Sequence, residues 1–299
     1  MLYKLKYINE RGESIEFKGN QYDFQEPIEF KNKTTNPFNL IRFEGFGEVG
    51  ADVQLQKAPF QDGSTHIDTR LQERNPYLEF VIVSDDWSNL SNYRKYVSSV
   101  FNPKINGRFE LSFDNKTYVL DSIPESVPFF ADEDTVGRSQ VVSVNLICPN
   151  PYWKSPTIEE QPTFEPLFQF PFEGAFQMGI QRDLRIINND SDTEVPIQVE
   201  FYGPAINPII TNKTTGEFIK VNQTLQENEY MRIDTTEGKK SVVFINVETG
   251  EERNVFNWID LGSTFFQLQI GENAIEYSAD NDIQGAIVNI YWQKHFVGV

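Results

Sequence analysis

The chain has 299 residues, of which 39% are hydrophobic and 23% charged, and its formal net charge is −18. This length allows one large or two ordinary domains, and the apolar content excludes wholesale disorder. An acidic surface repels phosphates, so specific nucleic-acid binding is not expected. No stretch approaches 18 apolar residues and no secretory signal is visible, so we expect no membrane insertion and assembly in the cytoplasm. Cys148 is the single cysteine, which rules out an internal disulfide.

The first half of the chain predicts short strands and one helix. The helix is expected over residues 86–101, where Asp85 and Asp86 can cap its start and Pro103 ends it. An apolar stripe runs along it at spacings of three and four, formed by Trp87, Leu90, Tyr93, Val97, Val100 and Phe101. Strands are predicted at 15–17, 22–30, 40–46, 77–83 and 141–148, with a hairpin formed by 109–113 and 118–123 and an exposed loop at 124–138.

A proline-rich stretch divides the chain. Six prolines lie between Pro149 and Pro171, and proline cannot donate to a strand ladder. We therefore predict a first domain over 1–150, a linker over 151–171 and a second domain over 172–299. The second domain predicts a β-sandwich, because short strands alternate with turns and no helix pattern is present. Its strands are expected at 183–188, 197–202, 230–234, 242–246, 265–270, 274–277 and 286–292.

The common chemical motifs are weak, and we predict no catalytic site, cofactor or metal. Gly45 to Gly50 match the spacing of a dinucleotide loop, but alternating residues follow where that loop needs a helix. His66 lacks a cluster of further ligands. The run from Asn188 to Glu194 resembles a calcium loop but has no glycine at its sixth position.

Three stretches in order resemble the distal tail proteins of long-tailed bacteriophages. The first is GADVQLQKAPFQDGSTHIDTRLQER, from Gly50 to Arg74, which ends in an Arg-Leu-x-x-Arg run. The second is the Cys-x-x-Pro-Tyr-Trp signature from Cys148 to Trp153. The third is the second-domain pattern that begins at Phe201-Tyr202-Gly203-Pro204, continues at Thr215-Gly216-Glu217 and ends with residues 292–299. The resemblance covers essentially the whole chain.

This resemblance implies a structural, non-enzymatic virion protein with a mainly β fold. It implies an N-terminal β-sandwich or barrel-like domain with one helix, which forms a hexameric ring, and a C-terminal galectin-like β-sandwich. It also implies contacts with the tail tube protein, the tail-tip protein and receptor-binding or baseplate proteins, and a central channel through which DNA leaves.

We predict that loops 45–66 and 124–138 reach a neighbouring copy in this ring. Six chains of charge −18 also predict a channel with a net negative lining. The candidate ring-interface or lumen residues are Glu44, Glu48 and Asp52 near the glycine-rich bend, and Asp132, Glu133 and Asp134 in the later loop.

The alternative is a carbohydrate-binding host-adsorption module. Its candidates are Trp258 and Trp292, because sugars stack on exposed aromatic rings. Around Trp258 the sequence reads Asn257-Trp258-Ile259-Asp260, which lacks the arginine and glutamate of the galectin sugar site. The resemblance therefore implies the galectin fold without that site, and the solvent exposure of the two tryptophans decides between the readings.

Overall fold

The computed structural model describes residues 4–17, 36–131, 139–161, 184–280 and 287–299. It divides the chain into two compact units, Met1–Pro156 with Val297–Val299, and Thr157–Phe296. The predicted strand at 22–30 and residues 162–171 of the predicted linker lie outside the described residues. No helix of the described ranges is long and apolar enough to cross a membrane.

The first unit contains eleven strands and one helix within the described residues. They are β1 Lys4–Asn9, β2 Ser14–Phe17, β3 Phe38–Glu44, β4 Ala51–Gln56, β5 Thr65–Leu71, β6 Tyr77–Val83, α1 Trp87–Val100, β7 Gly107–Phe113, β8 Lys116–Pro124, β9 Phe129–Phe130, β10 Ser139–Ile147 and β11 Trp153–Lys154.

Most of these strands form one curved antiparallel sheet, in the order β2-β1-β7-β8-β10-β6-β3. The two ends of this order approach each other, because Asn36 beside β3 donates to the carbonyl of Glu16 in β2 at 2.6 Å. The two edges of the sheet therefore lie close together, which agrees with the β-sandwich or barrel-like domain that the resemblance implies. β9 lies within the predicted loop at 124–138 and pairs with β10, and residues 132–138 are outside the described part.

The helix packs through one face and begins at a well-formed cap. Asp86 accepts a hydrogen bond from the backbone NH of Asn89 at 2.7 Å, which satisfies a donor that the first turn leaves open. Leu90, Val97 and Val100 are buried, as the predicted stripe requires. Trp87 is exposed, so its predicted place in the stripe is wrong: the helix begins there, before its apolar face meets the sheet.

Aromatic rings fill the interior of the first unit. Tyr7 stacks on Phe101 just after the helix, with ring centroids 4.3 Å apart, and meets the edge of Phe109. Phe46 meets Phe109 at 4.8 Å and lies 6.2 Å from Trp153. Burying such large rings supplies much of the apolar area that stabilises a sheet of this size.

The second unit contains thirteen strands and a 3₁₀ turn within the described residues. They are β12 Glu159–Gln161, β13 Leu184–Asn189, β14 Ile197–Tyr202, β15 Ala205–Ile206, β16 Ile209–Asn212, β17 Glu217–Lys220, β18 Thr224–Leu225, β19 Glu229–Asp234, β20 Ser241–Asn246, β21 Glu252–Asn254, the turn Phe256–Trp258, β22 Gly271–Ser278, β23 Val288–Trp292 and β24 His295–Phe296.

These strands form the predicted β-sandwich. One sheet has the order β12-β23-β14-β19-β20-β21 and the other β13-β22-β16-β17. A continuous apolar core lies between them, in which Val199, Phe201 and Ile233 of the first sheet meet Ile210 and Ile275 of the second. Alternate residues along β14 therefore face inward, and the residues between them form the outer face of the six-stranded sheet.

One predicted strand of this unit needs correction. Residues 265–270 alternate as a strand would, and Phe266 and Leu268 are buried, but only a single bridge from Leu268 to Val195 forms there. The short strands β11 and β12 lie in the part of the predicted linker that the structure describes. β12 is the edge strand beside β23, a position where neighbouring prolines interrupt no central ladder.

The helix cap gives a first testable prediction. Replacing Asp86 with alanine is expected to lower the free energy of unfolding by about 1 kcal/mol, because the first turn loses its acceptor. Asp85→Ala is the matched control, since the bond to Asn89 comes from Asp86. Urea denaturation followed by circular dichroism measures both variants. Equal losses for the two would contradict the assignment of the cap.

Candidate functional site

A buried arginine lies beside the glycine-rich bend of the first unit. Arg74 is 1% exposed. Among the described residues, its guanidinium donates to backbone carbonyls only. Nε donates to Pro151 at 2.5 Å, and Nη1 donates to Phe46 at 3.0 Å and Glu48 at 3.1 Å. Nη2 donates to the carbonyl of Val297. A single side chain thus fixes the bend, the turn at Pro151 and the last residues of the chain.

Separate motifs of the sequence meet at this arginine. The Phe46 carbonyl, inside the glycine-rich bend, also accepts a hydrogen bond from Trp153 Nε1 at 3.1 Å. The backbones of Arg74 and Cys148 pair with each other in both directions. The Arg-Leu-x-x-Arg run and the Cys-x-x-Pro-Tyr-Trp signature are therefore in direct contact around one peptide group.

The Arg74 guanidinium keeps its positive charge although it is buried. Burial lowers the pKa of Arg74 from its ordinary value, but a guanidinium remains protonated in a protein. Its charge is met by carbonyl dipoles that converge on it. Burial raises the pKa of the neighbouring Cys148 thiol to about 12, so Cys148 stays neutral and is a poor nucleophile.

The bend itself requires glycine. Gly45 has a φ of +73°, and a Cβ there would lie 2.5 Å from the backbone oxygen of Asn75. The chain then enters β4, an antiparallel strand paired with β5, and not the helix that a dinucleotide site needs. The backbone NH of Gln72 donates to the Gly50 carbonyl at 2.8 Å, which closes the base of this hairpin.

The β4–β5 hairpin is a separate two-stranded sheet with two different faces. On one face Val53, Leu55 and Ile67 are 50%, 61% and 55% exposed, and a bulge between Gln54 and Leu55 brings Ile67 into this row. We call these three residues the apolar row. On the other face Asp52 lies opposite Arg70 in the strand register. An apolar surface left open on an isolated hairpin is typical of an interaction site.

A second unusual surface lies on the outer face of the six-stranded sheet. Tyr202 on β14 stacks on Tyr230 of β19, with ring centroids 5.0 Å apart. The hydroxyl of Tyr202 donates to Glu200 Oε2 at 3.2 Å, and that of Tyr291 on β23 donates to the same oxygen at 3.3 Å. All four residues are partly exposed, and we call them the tyrosine cluster.

Two hydroxyls of the tyrosine cluster, those of Tyr202 and Tyr291, have raised pKa values. Burial and the charge of Glu200 raise the pKa of Tyr202 to about 12, and the same causes raise the pKa of Tyr291. Both phenols therefore remain protonated donors at neutral pH. The cluster was not found from the sequence, because its members come from three strands that are distant in the chain.

Two family models match the chain, one in each unit. A "Phage tail protein RIFT-related domain" model matches residues 26–148. A "Siphovirus-type tail component, C-terminal domain" model matches residues 189–296. The chain belongs to the distal tail protein family of siphophages. As a member of this family it is a structural component of the virion tail or baseplate.

Solved structures of phage tail proteins share the fold. The SPP1 distal tail protein Dit (gp 19.1), described as a hub of the adsorption apparatus in phages infecting Gram-positive bacteria, aligns with a TM-score of 0.65 and 11% identity over 99% of this chain and all of its own. A chain of the phage P2 baseplate in its activated conformation with calcium aligns with a TM-score of 0.57 and 9% identity over the full length of both chains. Among curated proteins, no match is significant.

Three of the predicted ring residues of this distal tail protein lie near the bend. Glu44, Glu48 and Asp52 are exposed near the bend, and Glu44 pairs with Arg42 at 2.5 Å, which offsets part of its charge. Asp132, Glu133 and Asp134 lie outside the described residues. For the sugar alternative, Trp258 is 53% exposed, whereas Trp292 is 8% exposed and belongs to the core, where it cannot offer a ring to a ligand.

The remaining sequence motifs have structural partners. The His66 ring nitrogen Nε2 lies 2.7 Å from the Thr69 hydroxyl. Asn189, inside the calcium-like run, is buried and donates to the carbonyls of Thr193 and Leu268, so it holds the turn itself. Within the described ranges, no group of three or more histidine, cysteine or acidic residues is arranged to hold a metal.

Replacing Arg74 tests its role in the first unit. Arg74→Met is expected to lower the free energy of unfolding by about 3 kcal/mol or more, because buried carbonyls lose their charged donor. Arg74→Lys is also expected to be destabilised, since an ammonium cannot reproduce the planar fork. Urea denaturation, with hydrogen exchange at residues 45–50, measures both effects.

Arg70 provides the matched control for this experiment. It belongs to the same motif but is exposed and pairs with Asp68 on the surface at 3.0 Å. Arg70→Met is expected to change the free energy of unfolding by less than about 1 kcal/mol. Similar values for Arg70→Met and Arg74→Met would show that the buried guanidinium has no special role.

Proposed function

We propose that six copies of the chain form a closed ring at the distal end of the phage tail. The first unit builds the ring, which joins the tail tube protein to the tail-tip protein. The second unit holds receptor-binding or baseplate proteins. DNA leaves through the central channel, and assembly takes place in the host cytoplasm. The protein acts through these contacts and not through catalysis.

The observation that carries this proposal is the exposed apolar row of the anchored hairpin. A closed ring needs a heterologous interface, in which one surface of each copy meets a different surface of the next. The hairpin is suited to be one of these two surfaces. The hydrogen bonds of Arg74 hold the bend that precedes it, and its apolar row is exposed to solvent. Removing this row from water favours association by about 25 cal/mol per Å² of apolar area.

The charge of the hairpin also favours contact between copies. Residues 51–71 contain three carboxylates and two cationic side chains, whereas the whole chain carries −18. Two copies of an acidic protein repel each other, and this repulsion is smallest where the local charge is nearly balanced. The hairpin is thus a segment that can approach a second copy at little electrostatic cost.

The same charge excess bears on the channel. We propose that its lining is net negative, with Glu48 and Asp52 as the candidates that are exposed and Glu44 as one partly neutralised by Arg42. Asp132, Glu133 and Asp134 stay candidates from the sequence. A negative lining lets DNA pass without adhering, because phosphate binding needs clustered lysine and arginine to release counterions.

The ring is tested by the mass of the full-length chain in solution. Light scattering of the purified protein, alone or mixed with its tail partners, is expected to give a species six times the 34.6 kDa chain mass. Leu55→Asp is expected to abolish this species, because a charge in the apolar row must be desolvated at the interface. The control Gln56→Asp adds the same charge on the other face and should keep the ring.

Two results would contradict the proposal. One is a monomer at every concentration, with and without the tail partners. The other is a ring that forms equally well in Leu55→Asp and Gln56→Asp, which would remove the hairpin from the interface.

The channel lining gives a prediction about DNA. Duplex DNA is expected to bind the assembled ring only weakly, with no steep dependence of the affinity on salt, because few phosphates are neutralised. Fluorescence anisotropy of a labelled duplex at several salt concentrations measures this. Micromolar binding that weakens steeply as salt rises would instead indicate a basic lining.

A further inference from the structure

The tyrosine cluster has the features of a saccharide subsite. Sugars present flat patches of CH groups that pack on aromatic rings, and hydroxyls that pair with fixed polar groups. Here two partly exposed tyrosines donate to one carboxylate, and a third, Tyr230, stacks on Tyr202. Tyr291 lies opposite Gln198, four residues from Tyr202 along the neighbouring strand, and the long side chains bring both hydroxyls to the same Glu200 oxygen. The polar centre of the cluster is therefore about as wide as a single hexose ring.

The groups of the cluster are held before any ligand arrives. Tyr202 is fixed by stacking on Tyr230 and by its bond to Glu200, and the second bond to Glu200 fixes Tyr291. Next to them, the Gln198 amide donates to Asp234 at 2.9 Å, so its orientation is also set. Side chains that are already ordered lose little conformational entropy on binding, which favours weak ligands such as sugars.

The charge of this face selects the kind of sugar. Across the outer face, Glu160, Glu200, Asp234 and Glu252 are carboxylates, and Arg232 is the cation among their cross-strand neighbours. Arg232 is itself paired with Glu252 at 2.7 Å. A face with this excess of negative charge repels phosphate and uronate groups, but it can accept hydrogen bonds from neutral hydroxyls.

We propose that the outer face of the six-stranded sheet binds a neutral hexopyranose unit of a polysaccharide through Tyr202, Tyr230, Tyr291 and Glu200. The rings supply the apolar contact, and Glu200 with the two phenolic oxygens pairs with the sugar hydroxyls. This site is distinct from Trp258, which lies on the 3₁₀ turn, and from Trp292, which is buried. It does not require the ring, because all four residues belong to the second unit.

The proposal is tested with the full-length chain and separate neutral oligosaccharides of glucose, galactose and N-acetylglucosamine. Saturation-transfer NMR is expected to detect binding of at least one of them, and calorimetry to measure its affinity. Tyr291→Ala and Glu200→Gln are each expected to weaken that affinity about tenfold or more, since each removes a polar contact to the sugar. Tyr118→Ala in the first unit and Trp258→Ala should leave it unchanged.

Several outcomes would overturn the proposal. These are the absence of a signal from every neutral oligosaccharide, unchanged affinity in both cluster variants, loss of binding in Trp258→Ala, or equal binding of an oligouronate. The first outcome would leave the tyrosine-rich face as a candidate protein-binding surface. Light scattering on the same samples, together with the Leu55→Asp variant, separates a failure of sugar binding from a failure of ring assembly.

Discussion

The first unit depends on the contact between the Arg74 guanidinium and the Phe46 carbonyl. Removing a cation from water is costly, and this cost is offset only when strong acceptors surround the charge. Here the acceptors are peptide carbonyls from the bend at 46–48, from Pro151 and from Val297. Because these carbonyls belong to distant parts of the sequence, satisfying one buried charge requires the correct arrangement of all of them.

This constraint links the interior of the unit to its exposed hairpin. Trp153 donates to the same carbonyl, and the Phe46 ring packs against Phe109 in the aromatic core. Five residues after Phe46 the chain enters β4, and β5 ends three residues before Arg74. The hairpin thus has both ends held by the buried arginine, while its apolar row has no cover from the described residues of its own unit. A rigid base with an open apolar face is what an assembly arm requires.

Much of the fold could be predicted from residue patterns, because those patterns reflect local physics. The alternation of β14, the stripe of α1 and the Asp86 cap follow from the periods of strands and helices. The alternation at residues 265–270 predicted a strand that does not form. Burial of Phe266 and Leu268 produces the same pattern whether or not the backbone hydrogen-bonds to a neighbouring strand. The exposed row of β4 was not foreseeable either, because alternation does not reveal which face is covered.

The site residues were harder to predict for a similar reason. Neither Trp292 nor Trp258 is marked by its neighbouring residues as buried or exposed. Only the packing of the two sheets shows that the Trp292 ring is in the core and the Trp258 ring is exposed. The tyrosine cluster joins β14, β19 and β23, whose register no local motif encodes. The resemblance in sequence carried Arg74 and Trp153 as motif members, but their shared acceptor is visible only in three dimensions.

The most direct test of the central claim is a cryo-electron microscopy map of the assembled full-length protein at side-chain resolution. The anchored hairpin is expected to cross to the neighbouring copy in a six-fold ring, with Val53, Leu55 and Ile67 buried against it. A ring whose hairpins project into solvent, or particles without six-fold symmetry, would contradict the claim that this hairpin builds the assembly.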